Sequence, residues 1–223
     1  MNILPQHHDN SNKRILEPIE RISEVLFGLI MVLTFTCSFS VAQAGRAEVR
    51  TMLVAALGCN FAWGIIDGIM YIMGCLTERA RGLRTLRGVQ KASSPEKAHR
   101  IIADALPPTL SATLAAPQFE DIRTRLAQLP EPAAHPRLRK RDWAGALGVF
   151  LWVFLSTFPV VLPFLFMHNA LRAQRASNLV AILMLFLTGY AFGRCIGYHP
   201  KGVGIAMVVL GSAMVALTIL LGG

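Results

Sequence analysis

Three side chains able to bind a cation lie in the apolar stretch "GCNFAWGIIDGIMYIMG", residues 58–74. Asn60 offers an amide oxygen, Asp67 a carboxylate and Met70 a thioether. Helical spacing places all three near one face of a helix, and the intervening glycines permit a second helix to approach closely. Oxygen and sulfur ligands together suit Fe²⁺ and other transition metals better than Mg²⁺. The stretch therefore predicts a metal-binding face on a buried helix.

Asp67 is the only acid well inside an apolar run of the chain. Ionisable groups in such runs usually line a transport path or pair with a partner. The alternative is a packing carboxylate, hydrogen-bonded to a neighbouring helix or to Arg194. Glu24 begins the first apolar run, where it either caps the helix or helps a cation to enter. The "HHD" at residues 7–9 is either solvated or a second metal site.

No recognisable motif for catalysis accompanies these residues. The sequence has no nucleophile elbow, HExxH, P-loop or dinucleotide fingerprint, and His168 and His199 fall at the ends of apolar runs. We therefore expect no enzyme and no bound cofactor. The four cysteines form no CxxC pair, so they are expected to pack as small apolar side chains, with a thiolate metal role as the alternative.

The elements that position these residues are long and apolar. Of the 223 residues 53% are hydrophobic and only 16% are charged, and the mean hydropathy is +0.48. A helix needs about 20 apolar residues to cross a bilayer. The sequence therefore predicts an all-α integral membrane protein with five transmembrane helices and no cleaved signal peptide. The five apolar runs cover residues 24–44, 51–76, 144–168, 177–197 and 202–222.

The distribution of positive charge predicts the orientation in the lipid bilayer. Eighteen of the 22 lysines and arginines lie in the N-terminal tail, in residues 77–142 and in the 194–201 turn. Five spans place these three segments on one side, and an excess of Lys and Arg marks the cytoplasmic side. We expect a cytoplasmic N-terminus and an outside C-terminus in a bacterial inner membrane. The net charge of +9 is then a topology signal and does not indicate nucleic-acid binding.

The predicted domain order is a cytoplasmic tail (1–22), two spans (23–76), a cytoplasmic helical insertion (77–142) and three spans (143–223). Residues 77–91 are expected to continue the second span as a basic stalk. Ser94 is a plausible N-cap, and a second amphipathic helix begins at Pro117. The face of that second helix comprises Phe119, Ile122, Leu126 and Leu129. These helices either lie near the membrane face or only connect the spans.

Two prolines interrupt the third span in "FPVVLPFLF", residues 158–166. Pro159 removes the donor for the carbonyl of Leu155, and Pro163 does the same for the carbonyl of Pro159. Irregular backbone at membrane depth is tolerated only where it is buried in protein or lines a cavity. Ser156 and Thr157 are placed to replace some of the lost hydrogen bonds. The stretch holds no strong ligand, so it is expected to shape the bundle.

These features resemble the vacuolar iron transporter family, whose members have five transmembrane helices and a cytoplasmic domain between the second and third. "ISEVLFGLIMVLTF" (22–35) is similar to the first helix of that family, and "GIMYIMGCLTER" (68–79) is similar to the second. The paired prolines of 158–166 are the closest match. The resemblance implies a homodimer that moves Fe²⁺ or Mn²⁺ out of the cytoplasm, with Met70 on the methionine position of the family.

The chain departs from that family at two places. Met31, followed by Val32, occupies the position of a metal-binding aspartate and glycine. The insertion is rich in arginine, whereas the family domain is rich in glutamate. The resemblance then implies a divalent metal path, driven by proton exchange, that is lined by Asp67, Met70, Met31, Asn60 and Glu24. The alternative is a membrane scaffold that has lost transport and binds anionic lipid or a cytosolic protein through the insertion.

Overall fold

The computed structural model describes residues 25–34 and 46–220, and these residues are largely helical, with no strand among them. Nine helices are present in the described ranges. They are α1 (Val25–Thr34), α2 (Arg46–Gln90), α3 (Pro95–Ala105), α4 (Pro108–Thr113), α5 (Ala116–Ala127), α6 (Lys140–Ser156), α7 (Phe158–Phe166), α8 (Ala170–Cys195) and α9 (Pro200–Leu220).

Four candidate membrane spans are long and apolar enough to cross a bilayer: Glu48–Gln90, Lys140–Phe166, Ala170–Cys195 and Pro200–Leu217. They support the prediction of an all-α membrane protein. The first of the five predicted spans is described only as the shorter apolar helix α1. The rest of that span, together with Glu24 and the "HHD" stretch, lies outside the described residues.

The chain divides into two compact units. The span unit comprises the described residues up to Tyr71 and those from Arg141 onward, so it contains α1, the first part of α2 and most of α6 to α9. The insertion unit is Ile72–Lys140. Helix α2 runs without interruption from one unit into the other, as the predicted basic stalk requires.

Small residues bring helices together in the span unit. Every fourth residue along most of α8 is buried, and Gly189 lies so close to α9 that a Cβ there would be 2.9 Å from the Cα of Gly204. The turn between α8 and α9 contains Gly197, whose φ of 68° lies in the left-handed region that favours glycine. The buried series in α8 is Ala173, Ser177, Ala181, Leu185, Gly189 and Gly193.

One apolar cluster joins α1 to α7 and α8. Leu29 and Leu185 are fully buried at its centre, and Val160 of α7 packs beside them. Met31 is partly buried against the same cluster. Helix α1 is therefore part of the packed span unit although its described length is short.

The insertion unit has its own small core. Ser94 caps α3 as expected, since its hydroxyl accepts a hydrogen bond from the Lys97 backbone amide at 3.4 Å. Ile102 is buried in the core. Leu129 was expected on the same face but lies beyond the end of α5 and is exposed, because that helix ends at Ala127. Val89 and Ala98 are the other buried residues of this core, and partly buried side chains, among them Phe119, Ile122 and Leu126, pack against it.

The proline-containing segment after α5 is held by side chains of α2. Gln90 Nε2 donates to the carbonyls of Leu126 and Leu129, at 3.2 and 2.9 Å. Arg87 donates to the carbonyls of residues 133 and 134, and Arg79 donates to that of residue 137. The backbone carbonyls of this segment have no helical donor, and side chains of the stalk donate hydrogen bonds to them instead.

Candidate cation path

Two glycines let α2 pack directly against the backbone of α6. A Cβ at Gly64 would lie 3.1 Å from the carbonyl oxygen of Phe150, and one at Gly68 would lie 3.2 Å from that of Ala146. The pair forms a GxxxG motif, which permits close helix approach in membranes. Further along, a Cβ at Gly145 would overlap the ring of Tyr71. The face of α2 that contains Asn60 and Asp67 is therefore the face that meets α6.

Asn60 is completely buried where this contact reaches the C-terminal end of α6. Its Nδ2 atom lies 3.0 Å from the carbonyl oxygen of Val153, 3.3 Å from that of Phe154 and 3.0 Å from Oγ1 of Thr157. Two of these partners accept hydrogen bonds only, so the amide is fixed with its nitrogen toward α6. Asn60 therefore stabilises the end of α6, a role that its spacing from Asp67 did not indicate.

The polar side chains at the junction between α6 and α7 donate hydrogen bonds to carbonyls in the last turn of α6. Ser156 Oγ donates to the carbonyl of Val153 at 2.7 Å, and Thr157 Oγ1 donates to that of Phe154 at 2.9 Å. Neither hydroxyl donates to the carbonyl of Leu155 or Pro159, whose helical donors the prolines remove, so the prediction that they replace those hydrogen bonds is not borne out. Ser177 of α8 adds a buried hydrogen bond of 2.6 Å to the carbonyl of Val160.

The second polar atom of Asn60 has no hydrogen-bond partner. Its Oδ1 atom is buried and unpaired within the described residues, and it faces α1 at Gly28. The point where a Cβ of Gly28 would lie is 3.2 Å from this oxygen, 3.6 Å from Ser156 Oγ and 3.7 Å from Thr157 Cγ2. Three helices and the α6–α7 junction thus meet around one amide side chain.

Asp67 lies two helical turns from Asn60 on the same side of α2 and is half-buried. It makes no hydrogen bond or ion pair in the described part of the chain, so neither partner of the packing alternative is bound to it. Met70 is 60% exposed and lies on the flank of α2 that turns away from α6. The three predicted ligands therefore lie in one region of α2, but the structure does not bring Asp67, Met70 and Asn60 around one point.

The other two predicted metal residues are not placed beside these three. Met31 packs in the apolar cluster of α1, α7 and α8, and Glu24 lies outside the described residues. No group of three or more His, Cys, Asp or Glu side chains that could hold a metal occurs in residues 25–34 and 46–220. Among the described residues of one copy, a metal at Asp67 would therefore need neutral oxygen or sulfur ligands as well.

The acids of the insertion unit have a different role. Glu120 links α3 to α5, since its Oε2 atom lies 2.8 Å from His99 Nε2 while both carboxylate oxygens accept from Arg123. Hydrogen bonds from Arg123 and then from His99 lower the pKa of Glu120 to about 2. This carboxylate is committed to structure. The insertion shows no multi-carboxylate metal cluster among its described residues.

Sequence reasoning missed one residue of this region. Gly28 appears in the sequence only as one glycine in an apolar run. A glycine facing a buried polar residue of another helix has no local signal. It becomes recognisable only when the two helices are packed together.

No protein-family model matches the chain, and no curated protein matches it either. The resemblance drawn from the proline motif therefore remains a hypothesis about ancestry.

Proposed function

We propose that the protein is a membrane transporter that moves a divalent transition metal, Fe²⁺ or Mn²⁺, out of the cytoplasm in exchange for protons. The observation that carries the proposal is Asp67, an unpaired carboxylate half-buried within an apolar helix. A charge in such a segment costs several kcal/mol in translocon-based scales, roughly 2.5–3.5 kcal/mol for an aspartate at the helix centre. The presence of Asp67 in an apolar segment, despite this free-energy cost and without a protein partner, is best explained if its carboxylate binds a cation.

The ligand chemistry around Asp67 supports a transition metal. Met70 and Met73 follow it on α2 and are 60% and 55% exposed, so their sulfur atoms are accessible. Carboxylate oxygen with thioether sulfur favours Fe²⁺ and its neighbours over Mg²⁺. Proton exchange follows from the same group, because Asp67 can take up a proton after the metal leaves it.

The proposal includes a homodimer, in which α2 of one copy faces α2 of the other. The exposed flank of α2 is apolar, with Trp63 48%, Ile69 53% and Met70 60% exposed. Among the described residues, Asp67 is the one carboxylate well inside an apolar run, and two copies about a twofold axis would provide two. In the proposed topology the N-terminus and the insertion are cytoplasmic. The first of the five proposed spans, residues 24–44, includes α1, and Glu24 and Met31 lie along the entry route.

A flux assay in proteoliposomes tests the proposal. Purified protein is reconstituted, and uptake of Fe²⁺, Mn²⁺, Co²⁺ and Zn²⁺ is followed with and without a proton gradient. We expect uptake of Fe²⁺ or Mn²⁺ that accelerates when the gradient drives protons in the direction opposite to the metal. This uptake should be lost in Asp67→Asn. Absence of flux for every cation at every gradient would refute transport.

A scaffold function is the second candidate, and the exposed basic side chains of the insertion unit favour it. Arg81 and Arg84 on α2 and Lys91 just after its end are all exposed. Each basic side chain near an anionic membrane surface contributes about 1 kcal/mol of attraction. A protein without flux that still binds anionic vesicles more tightly than neutral ones through these three side chains would be such a scaffold.

A further inference from the structure

The 194–201 turn joins two candidate membrane spans, Ala170–Cys195 and Pro200–Leu217. Only residues 196–199 separate the two helices. In any bilayer that both helices cross, so short a connection has to lie at the depth of the lipid headgroups. Its exposed side chains are therefore presented to lipid headgroups.

The backbone of this turn is fixed by its own contacts. The amide of Tyr198 donates to the carbonyl of Gly193 at 2.9 Å, which closes the end of α8. A Cβ at Gly193 would lie 2.7 Å from the Cα of Pro200, so the last turn of α8 and the first turn of α9 are in direct contact. Arg194 and Lys201 are the next residues in sequence after this contacting pair, so both basic residues lie within one residue of the contact.

The two basic side chains of the turn have no protein partner. Arg194 and Lys201 are exposed, and neither makes a hydrogen bond or an ion pair through its side chain in the described part of the chain. Residues 143–223 contain no aspartate or glutamate, so α7, α8 and α9 offer no carboxylate to them. Two unpaired positive charges at headgroup depth are complementary to the phosphate groups of anionic phospholipids.

Two side chains with large apolar surfaces are exposed beside these charges. Ile196 is 44% exposed and Tyr198 is 63% exposed. The ring of His199 lies edge-on to that of Tyr198, with the ring centroids 5.1 Å apart. Tyrosine favours the membrane–water interface because its ring is apolar and its hydroxyl can donate a hydrogen bond. One hydroxyl and two cationic groups supply donors, and the charged oxygens of a phospholipid phosphate accept hydrogen bonds.

We propose that the 194–201 turn binds the headgroup of an anionic phospholipid, with Arg194 and Lys201 contacting the phosphate and Tyr198 lying between headgroup and acyl chains. A free phosphate ion offers the same charge, but the exposed Ile196 and Tyr198 favour a ligand that also has an apolar part. The inference does not depend on the transport function proposed above. It also concerns a different surface from the basic side chains of the insertion unit.

The test measures the binding of phosphatidylglycerol and of phosphatidylcholine to the full-length protein in detergent by native mass spectrometry. A basic side chain at an anionic lipid surface strengthens binding about fivefold, so Arg194→Gln and Lys201→Gln should each weaken phosphatidylglycerol binding by that factor. The double variant should weaken it roughly thirtyfold and leave phosphatidylcholine binding unchanged. The matched control is Arg81→Gln/Arg84→Gln, which removes two exposed positive charges from α2 and should bind both lipids as the wild type does.

Equal phosphatidylglycerol affinity of wild type and the Arg194→Gln/Lys201→Gln variant would overturn the inference, as would a wild type without preference for phosphatidylglycerol. Loss of binding in the α2 control alone would assign the lipid to the insertion unit and overturn it as well. Displacement of the lipid by excess inorganic phosphate, beyond that caused by sodium chloride of equal ionic strength, would show a free-anion site instead. Thermal stability in detergent checks folding, and the two single variants decide if the double variant does not fold.

Discussion

The two parts of α2 bind backbone carbonyls with the same chemistry in opposite surroundings. In the span unit, Asn60 donates from a fully buried amide to the carbonyls of Val153 and Phe154. In the insertion unit, Arg87 and Gln90 donate from more accessible positions to a segment that contains prolines. Each part supplies donors to backbone carbonyls close to a proline-containing segment.

The two units differ in what else can donate a hydrogen bond to these backbone carbonyls. Water can hydrogen-bond the carbonyls of the insertion unit, so the arginines there contribute order more than stability. Water does not reach the carbonyls at the α6–α7 junction as readily, and an unpaired group in an apolar interior is expensive. One buried amide should therefore matter more than several exposed guanidinium groups, and the substitutions below test that ranking.

The largest effect is expected from Asn60→Asp. At neutral pH the aspartate presents only acceptors to two carbonyls and to Thr157 Oγ1, and the loss should be at least about 3 kcal/mol of stability. Asn60→Leu should be milder, because Ser156 and Thr157 still donate to the same carbonyls. The measurement is the temperature at which each detergent-solubilised protein loses its gel-filtration peak. Equal stability of wild type and Asn60→Asp would contradict the assignment.

Gly64→Leu should follow in size. The new side chain would overlap Phe150, whose carbonyl oxygen lies 3.1 Å from the Cβ position, and overpacking typically costs about 1–3 kcal/mol. Gly58→Leu is the matched control on the same helix, since nothing lies within 4 Å of its Cβ position. The same thermal assay decides, and identical shifts for the two leucine variants would show that α2 and α6 are not packed through Gly64.

Arg87→Ala should have a smaller and local effect. It removes the donor for the carbonyls of residues 133 and 134, which water can replace, so we expect about 1 kcal/mol or less. Hydrogen exchange should accelerate in residues 131–137 and stay unchanged in α8. Arg84→Ala is the control, because Arg84 bonds only to the Ala80 carbonyl of its own helix. Global unfolding of the Arg87 variant would reverse the ranking.

The smallest effect is expected from Glu120→Gln, and it should depend on pH. The folded pKa of Glu120 is about 2, below the ordinary value of 4.5, so the carboxylate stabilises the fold above pH 4.5. That contribution is lost as the pH falls from 4.5 toward 2. Hydrogen exchange of α3 and α5 should therefore differ between variant and wild type at pH 6 and converge only as the pH falls to about 2. Asp121→Asn, in an exposed pair with Arg125, is the control.

Helix positions followed from local signals in the sequence. The apolar runs gave four long candidate spans, the stalk followed from the absence of a break before Gln90, and the Ser94 cap followed from Pro95 and Glu96. Leu129 was misplaced because periodicity alone does not show where a helix ends. The short helix α4 was not predicted, although Pro108 occupies its first position, where proline is favoured.

The candidate site was less accessible to sequence reasoning. Asn60, Asp67 and Met70 share a helix, but only tertiary packing decides which of them meets another helix. Gly64 and Gly68 place α6 over Asn60 and leave Met70 on the exposed flank. The pairing of Gly28 with Asn60 Oδ1 depends on two segments distant in sequence, and a single sequence has no local signal for such a contact.

The most direct test of the whole account compares Asp67→Asn with Arg87→Ala for Mn²⁺ flux into proteoliposomes under a proton gradient. Both residues are polar groups of α2, but only Asp67 lies within the proposed metal path. The account predicts that Asp67→Asn loses proton-coupled flux while it remains folded, and that Arg87→Ala transports as the wild type does. Full flux through Asp67→Asn would contradict the central role of this carboxylate.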